Sequence, residues 1–153
     1  PSAQMLGVFR ADLQDLVAGA LAQLPSPRRA LVVHGHGGLD ELTLSGPSRA
    51  IEVREGRLRE MQVDPAELGL NPAPLAALLG GDAAQNSEIV RRVISGQDPG
   101  PRTDVVLLNA AAALYIGNKA ENLRAGMQLA HEAIASGAAV AKLEALTRCS
   151  LNW

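Results

Sequence analysis

Ala30-Leu31-Val32-Val33-His34-Gly35-His36-Gly37-Gly38-Leu39-Asp40-Glu41-Leu42-Thr43-Leu44 joins a buried-strand pattern to a glycine-rich loop, and the loop delivers two adjacent carboxylates to another short extended segment. Ala30 to Val33 holds no polar residue and does not alternate, which suits a strand covered on both faces. Upstream, Met5-Leu6-Gly7-Val8-Phe9 is a second short apolar run, read as another buried strand. Between the two, Leu13, Leu16, Val17, Ala20, Leu21 and Leu24 recur at helical spacing. Asp12 is placed to cap that helix, and Pro25-Ser26-Pro27 to stop it. Strand, helix and strand in succession make a βαβ unit with parallel strands and a right-handed crossover.

Beyond the loop the texture changes. Leu42 to Leu44, Arg49 to Arg54 and Arg57 to Val63 read as short strands. Ile51 and Val53 alternate with polar residues, and Glu55-Gly56 is a hairpin signal. The expectation is an antiparallel meander at the edge of a partly parallel sheet. Asp64-Pro65 to Pro74 reads as loop, with one helical turn around Ala66 to Leu68. The remainder is helical. Asp82 and Gln85 form a capping-box pattern before Ile89, Val90, Val93 and Ile94, and Gly96 ends that helix. Thr103 is expected to cap a helix over Val105 to Ile116 that is apolar nearly all round, hence buried or packed between domains. Asn122 caps a further helix to Ala135, with Leu123, Met127, Ala130 and Ile134 inward. Ala138 to Leu146 makes the last helix, and Thr147 to Trp153 is patternless, so residues 1–146 are read as domain and 147–153 as tail.

The 153 residues suffice for one ordinary domain with a core. Apolar residues make up 47% but aromatics only 2%, so the core is aliphatic. Fourteen basic residues face sixteen acidic ones, and the net charge of −2 leaves no electrostatic footprint for nucleic acid. The doublets Arg28-Arg29 and Arg91-Arg92 read as solvated faces. Cys149 is the one cysteine, so no internal disulfide forms, as expected of a cytoplasmic protein. No run approaches the length of a membrane span. Pro1-Ser2-Ala3-Gln4 lacks the features of a secretion signal. A strand so close to Pro1 gives the expectation of further residues upstream.

Open α/β sheets bind ligands beyond the carboxyl ends of their strands, where this loop falls. A hard cation takes oxygen donors, and Mg²⁺ keeps several waters, so one or two carboxylates and phosphate oxygens suffice. In an extended backbone Asp40 and Glu41 point to opposite faces. They then serve two ions, or one binds while the other bridges through water. The bland reading of the pair is two acids solvated on a turn. His34, at the strand end, is a candidate for ligand contact against the alternative of an ordinary hydrogen-bonded histidine. His36 reads as solvated, and Asn109 as bonded to a neighbouring loop backbone, since a buried amide needs partners.

These segments resemble the second half of the anthranilate phosphoribosyltransferase family (glycosyltransferase family 3). The resemblance rests on collinear landmarks: Leu6-Gly7-Val8, Arg29 to Gly35, Gly38-Leu39-Asp40-Glu41, Gly46-Pro47-Ser48, Glu67-Leu68-Gly69-Leu70, Gly80-Gly81-Asp82-Ala83 and Leu107 to Tyr115, with Gly126, Leu129-Ala130, Ala133-Ile134 and Ser136-Gly137 near the end. It implies the C-terminal portion of a nucleoside phosphorylase/phosphoribosyltransferase-like α/β catalytic domain, cytoplasmic and homodimeric when intact. It further implies transfer of the phosphoribosyl group of phosphoribosyl pyrophosphate to anthranilate, releasing pyrophosphate, in tryptophan biosynthesis. The family's Asp-Glu pair binds Mg²⁺ and maps onto Asp40 and Glu41. The family's Gly-Thr-Gly-Gly-Asp and Lys-His-Gly-Asn-Arg motifs, which hold the two substrates, lie in its first half and do not occur in this sequence. No catalytic residue is therefore assigned here, and residues 1–153 alone are expected to be inactive without an N-terminal half.

The sequence also departs from the family. His36-Gly37-Gly38 stands where an acidic residue often precedes the second glycine, and the tail from Thr147 has no family pattern. Two other readings compete. A pyrimidine-nucleoside phosphorylase relative would use phosphate without a metal-bound pyrophosphate, which the intact Asp40-Glu41 pair disfavours. A non-catalytic nucleic-acid-binding relative is disfavoured by the acidic balance and the lack of a basic stripe.

Overall fold

The computed structural model describes residues 1–26 and 29–150. Pro27 and Arg28, part of the expected helix stop and of the first arginine doublet, lie outside the described residues, as do Leu151 to Trp153 of the tail. Among the described residues four strands form one sheet in chain order: β1 (Ala3–Gly7), β2 (Arg29–His34), β3 (Ser48–Arg54) and β4 (Arg57–Val63). β1 and β2 run parallel, while β2, β3 and β4 make the expected antiparallel meander. Glu55 and Gly56 both take positive φ, 50° and 77°, as a two-residue hairpin turn between twisted strands requires. β1 is half-buried, which corrects its reading as a buried strand.

Alternation along β2 and β3 assigns the two faces of the sheet. Ala30, Val32, Ile51 and Val53 pack with Ala18 and Leu21 of α1 (Asp12–Gln23). Leu31, Val33, Ala50 and Val63 pack on the other face with Leu108, Ala112, Tyr115 and Ile116 of α3 (Pro101–Ile116). The inward face of α1 differs from its leucine periodicity. Leu16 and Leu24 are exposed, and the fully buried Gln14 points its amide Nε2 at the Val32 and Arg49 carbonyls, at 2.9 and 2.8 Å. Asp12 does not cap α1: Ala11 holds that position, and the Asp12 carboxylate is engaged by the Arg10 guanidinium at 2.6 Å.

The helical half follows its local signals. α2 (Ala83–Ile94) carries the complete Asp82/Gln85 capping box, although Val90 is exposed, and Asn122 accepts from the Ala125 N–H to cap α4 (Leu123–Ala135). Two differences stand out. α3 begins at Pro101, a residue suited to a first helical position, so Thr103 lies inside it and donates to the Asp98 carbonyl. α5 (Ala138–Ser150) continues past Leu146 into the segment read as patternless tail.

Arg29 corrects the reading of the first doublet as a solvated face. It is buried at the start of β2, 2.9 Å from Glu52, beneath Tyr115, with its guanidinium 4.4 Å from the ring centroid. It also donates to the Tyr115 carbonyl and the Asn118 side chain. Glu52 further accepts from Arg59 at 2.7 Å and from the Tyr115 hydroxyl at 3.1 Å. Burial opposes ionisation of Glu52, but hydrogen bonds from Arg59, Arg29 and Tyr115 outweigh it and hold its pKa below the ordinary glutamate value.

Glu52→Ala strands a buried guanidinium without its counter-charge, and the expected loss is about 3–5 kcal/mol in urea unfolding. The depressed pKa makes the Glu52 contribution complete above the ordinary glutamate value and lost as pH falls through the folded value. Stability below about pH 4.3 should therefore fall more steeply in the parent than in Glu52→Gln, which cannot titrate there. Equal acid slopes in the two proteins would contradict this role for Glu52.

Candidate functional site

The carboxyl ends of the parallel strands β1 and β2 lie side by side, and the segments that leave them form the site. After β2, Gly35 donates to the Leu39 carbonyl at 2.8 Å and Gly38 to the Gly35 carbonyl at 3.0 Å, closing a tight turn. Gly37 and Gly38 have φ of 84° and 89°, a conformation that side chains disfavour and glycine accepts. The turn reverses the chain and sets Asp40 and Glu41, both exposed, beside the end of β1.

Two glycines permit that approach. A Cβ on Gly7 would stand 1.4 Å from the Asp40 carbonyl oxygen, and one on Gly35 would stand 2.2 Å from that of Glu41. Real atoms cannot come so close, so both positions require a bare α-carbon. A glycine inside an apolar strand run is the sequence sign of such an approach, and Leu6-Gly7-Val8 carries it.

Leu42 to Leu44 is not the strand expected from its composition. Leu42 and Leu44 are fully buried, contributing about 1.5–3 kcal/mol each, but their backbone partners come from elsewhere. The Leu42 N–H and carbonyl both bond the Asn109 carboxamide, Thr43 N–H meets the Ser48 hydroxyl, and the Leu44 carbonyl accepts from Ala73. With β3 already paired on both edges by β2 and β4, this sheet leaves it no position between them. Asp40 and Glu41 consequently sit on bends, and the alternation of an extended backbone does not govern them.

His34 is half-buried, and its Nδ1 lies 2.8 Å from the Val8 carbonyl. A carbonyl only accepts, so Nδ1 carries the proton, and His34 ties the end of β2 to the segment after β1. His36 is exposed but tethered: Nδ1 is 3.2 Å from the Ser45 hydroxyl, and its ring lies over Gly46. Asn109 bonds the loop backbone, as expected of a lone amide on an apolar helix. Ser45, which also bonds Thr43, belongs to this loop and was not singled out from the sequence.

Glu41 keeps exposed surface, yet its carboxyl is held above the ordinary glutamate value. Partial desolvation comes first, then the negative charge of Asp40. Among the described residues no group of three His, Cys, Asp or Glu is placed to hold a metal ion. The donor set is thus two crowded carboxylates on an open loop. That set fits a hard divalent cation completing its shell with water and ligand oxygens, and it suits neither a tetrahedral His/Cys centre nor a closed cage.

The model of the glycosyl transferase family, a/b domain, matches residues 1–140, and the chain belongs to that family. An anthranilate phosphoribosyltransferase of Roseiflexus castenholzii is 54% identical over 97% of this chain, which spans 44% of that protein. The crystal structure of the Thermus thermophilus anthranilate phosphoribosyltransferase matches 90% of the chain at 42% identity with a TM-score of 0.81; 40% of that protein is covered. The Saccharomyces cerevisiae enzyme in complex with PRPP and Mg matches 93% at 28% identity with a TM-score of 0.84, over 41% of its length. The chain therefore spans about two fifths of the length of these relatives.

The approach of Asp40 to β1 makes a direct prediction. Gly7→Ala must push the Asp40 backbone away, and the expected cost is about 1–3 kcal/mol in urea unfolding. The same substitution at Gly19, where a Cβ meets nothing within 4 Å and the site is helical, should be neutral or stabilising. Equal effects at the two glycines would show that the close approach carries no cost.

Proposed function

We propose that this chain is the carboxylate-bearing part of an anthranilate phosphoribosyltransferase, and that Asp40 and Glu41 hold Mg²⁺ for a phosphoribosyl pyrophosphate donor. The single observation that carries the reading is the loop itself: two acids crowded at the carboxyl ends of parallel strands, one with a raised pKa, with no third protein ligand among the described residues. A donor whose own phosphate oxygens complete the shell suits such a pair. Family membership and the relative crystallised with PRPP and Mg support the choice of donor. The acceptor is drawn from the names of the relatives, one of which was solved with 4-fluoroanthranilate.

Bound there, Mg²⁺ would offset charge building on the departing pyrophosphate. The residues of this chain have a narrower task. Asp40 and Glu41 supply anionic oxygens at a fixed place, and the turn through Gly37 and Gly38 holds them beside the end of β1. His34 holds the two strand ends together, and no atom of this chain is assigned a covalent step. Anthranilate recognition and the rest of the donor cradle belong to the portion of the relatives beyond the two fifths matched here. A role in tryptophan biosynthesis, a cytoplasmic setting and a homodimer are part of the same proposal. Among the described residues no helix is long and apolar enough to cross a membrane.

Asp40→Asn and Glu41→Gln, introduced into the full-length enzyme carrying this chain, should each lower kcat/KM for Mg²⁺–phosphoribosyl pyrophosphate by roughly 10²–10³-fold. The check is a steady-state assay across a Mg²⁺ titration. Parental metal dependence in both variants would remove the assignment.

A further inference from the structure

We propose that Asn109 is a positioning residue for the Asp40–Glu41 cation site, acting through the Leu42 peptide groups; the inference rests on the Mg²⁺ reading above. Asn109 lies in the middle of α3, among Val105 to Ile116, where an amide is a poor helix former and an unpaired one would be costly. Its polar atoms are committed. Oδ1 accepts from the Leu42 N–H at 3.0 Å, and Nδ2 donates to the Leu42 carbonyl at 2.8 Å and to the Val105 carbonyl at 2.9 Å. Both amide hydrogens are used, so Asn109 has no donor left for a substrate.

Its target gives these bonds their meaning. Asp40 and Glu41 occupy the interval between two backbone anchors. On one side, the Leu39 carbonyl is held by the Gly35 N–H at 2.8 Å. On the other, Leu42 is held by Asn109 as a neighbouring strand would hold it, through donor and acceptor at once. The first anchor belongs to the glycine turn, while the second is reached across the fold, from a helix 67 positions away in sequence. Removing it leaves the carboxylates hinged at one end only, and the buried Leu42 peptide loses both side-chain partners. Groups that orient metal ligands in this way are typically worth 10–100-fold in metal affinity.

The test uses the full-length enzyme, with Mn²⁺ as probe and phosphoribosyl pyrophosphate present, reading bound metal by electron paramagnetic resonance and stability by thermal unfolding. Asn109→Ala should weaken Mn²⁺ binding at least ~10-fold and raise the Mg²⁺ half-saturation in parallel, with a smaller effect on kcat at saturating metal. Asn109→Ser, which leaves room for a bridging water, stands in if the alanine form fails to fold. Glu52→Gln, at the opposite end of the sheet, is the stability control and should lower the unfolding temperature without moving metal affinity. If the Asn109 variants lose stability alone, or Glu52→Gln loosens the metal equally, Asn109 is only structural and the proposal falls. If Asp40→Asn/Glu41→Gln also leaves Mn²⁺ binding unchanged, the fault lies in the underlying metal reading, which distinguishes the two failures.

Discussion

The buried peptide groups of Leu42 belong to no strand, and the Asn109 carboxamide satisfies them. A buried backbone donor and acceptor without partners would cost about 1–3 kcal/mol each, enough to cancel most of what two leucines gain by docking beside them, so the segment after the carboxylates gains little by entering the core unaided. Because Asn109 sits on α3, the place of the loop is set by how α3 lies on the sheet. The carboxylates are thus positioned by tertiary packing as much as by the turn preceding them.

The far end of α3 lies against a separate charge network. Tyr115, on the last turn of the helix, covers Arg29 and donates to Glu52, while the carbonyl of the same residue accepts from Arg29. Removing an ion pair from water is expensive, and this one is compensated by three further residues, Arg59, Tyr115 and Asn118, converging on its two side chains. The sheet is therefore polarised. The start of β2 holds a closed, internally satisfied charge network, and its end opens into a glycine turn with two carboxylates crowded together. The first is built to be left alone, whereas the second is electrostatically incomplete.

What the sequence revealed follows the range of the interactions involved. Asp82 with Gln85, Asn122, and the Glu55-Gly56 turn are local devices, settled within four residues, and the structure reproduces each. Local reasoning failed where a stronger neighbour competed. Arg10 took the Asp12 carboxylate, and Pro101 started α3 ahead of Thr103. It failed again where the partner was distant: nothing near Arg29 announces Glu52, and Leu42 to Leu44 has strand composition but takes its backbone partners from Asn109, Ser48 and Ala73. The carboxylate loop was legible because glycines and acids are adjacent in the chain. The arrangement of its two acids was not, since it depends on bends held by Gly7, Gly35 and Asn109, each acting through space.

An incomplete donor set has consequences for recognition. Adjacent carboxylates repel, and this repulsion adds to partial desolvation, the larger cause, in raising the Glu41 pKa. Filling the site with protein ligands would relieve it permanently, and would also let the cation bind with nothing else present. On the Mg²⁺ reading proposed above, a shell left two ligands deep would make cation and phosphate-bearing ligand depend on one another: the oxygens of each would complete the binding of the other, and binding linkage would make the gain reciprocal. Such a site discriminates by the chemistry of its ligand, since a molecule without adjacent anionic oxygens cannot finish the shell. Such linkage requires that the two acids keep a fixed separation before the cation arrives. A turn pinned at Leu39 by Gly35 and at Leu42 by α3 meets that requirement, where a free surface loop would have to lose conformational entropy each time the cation arrived.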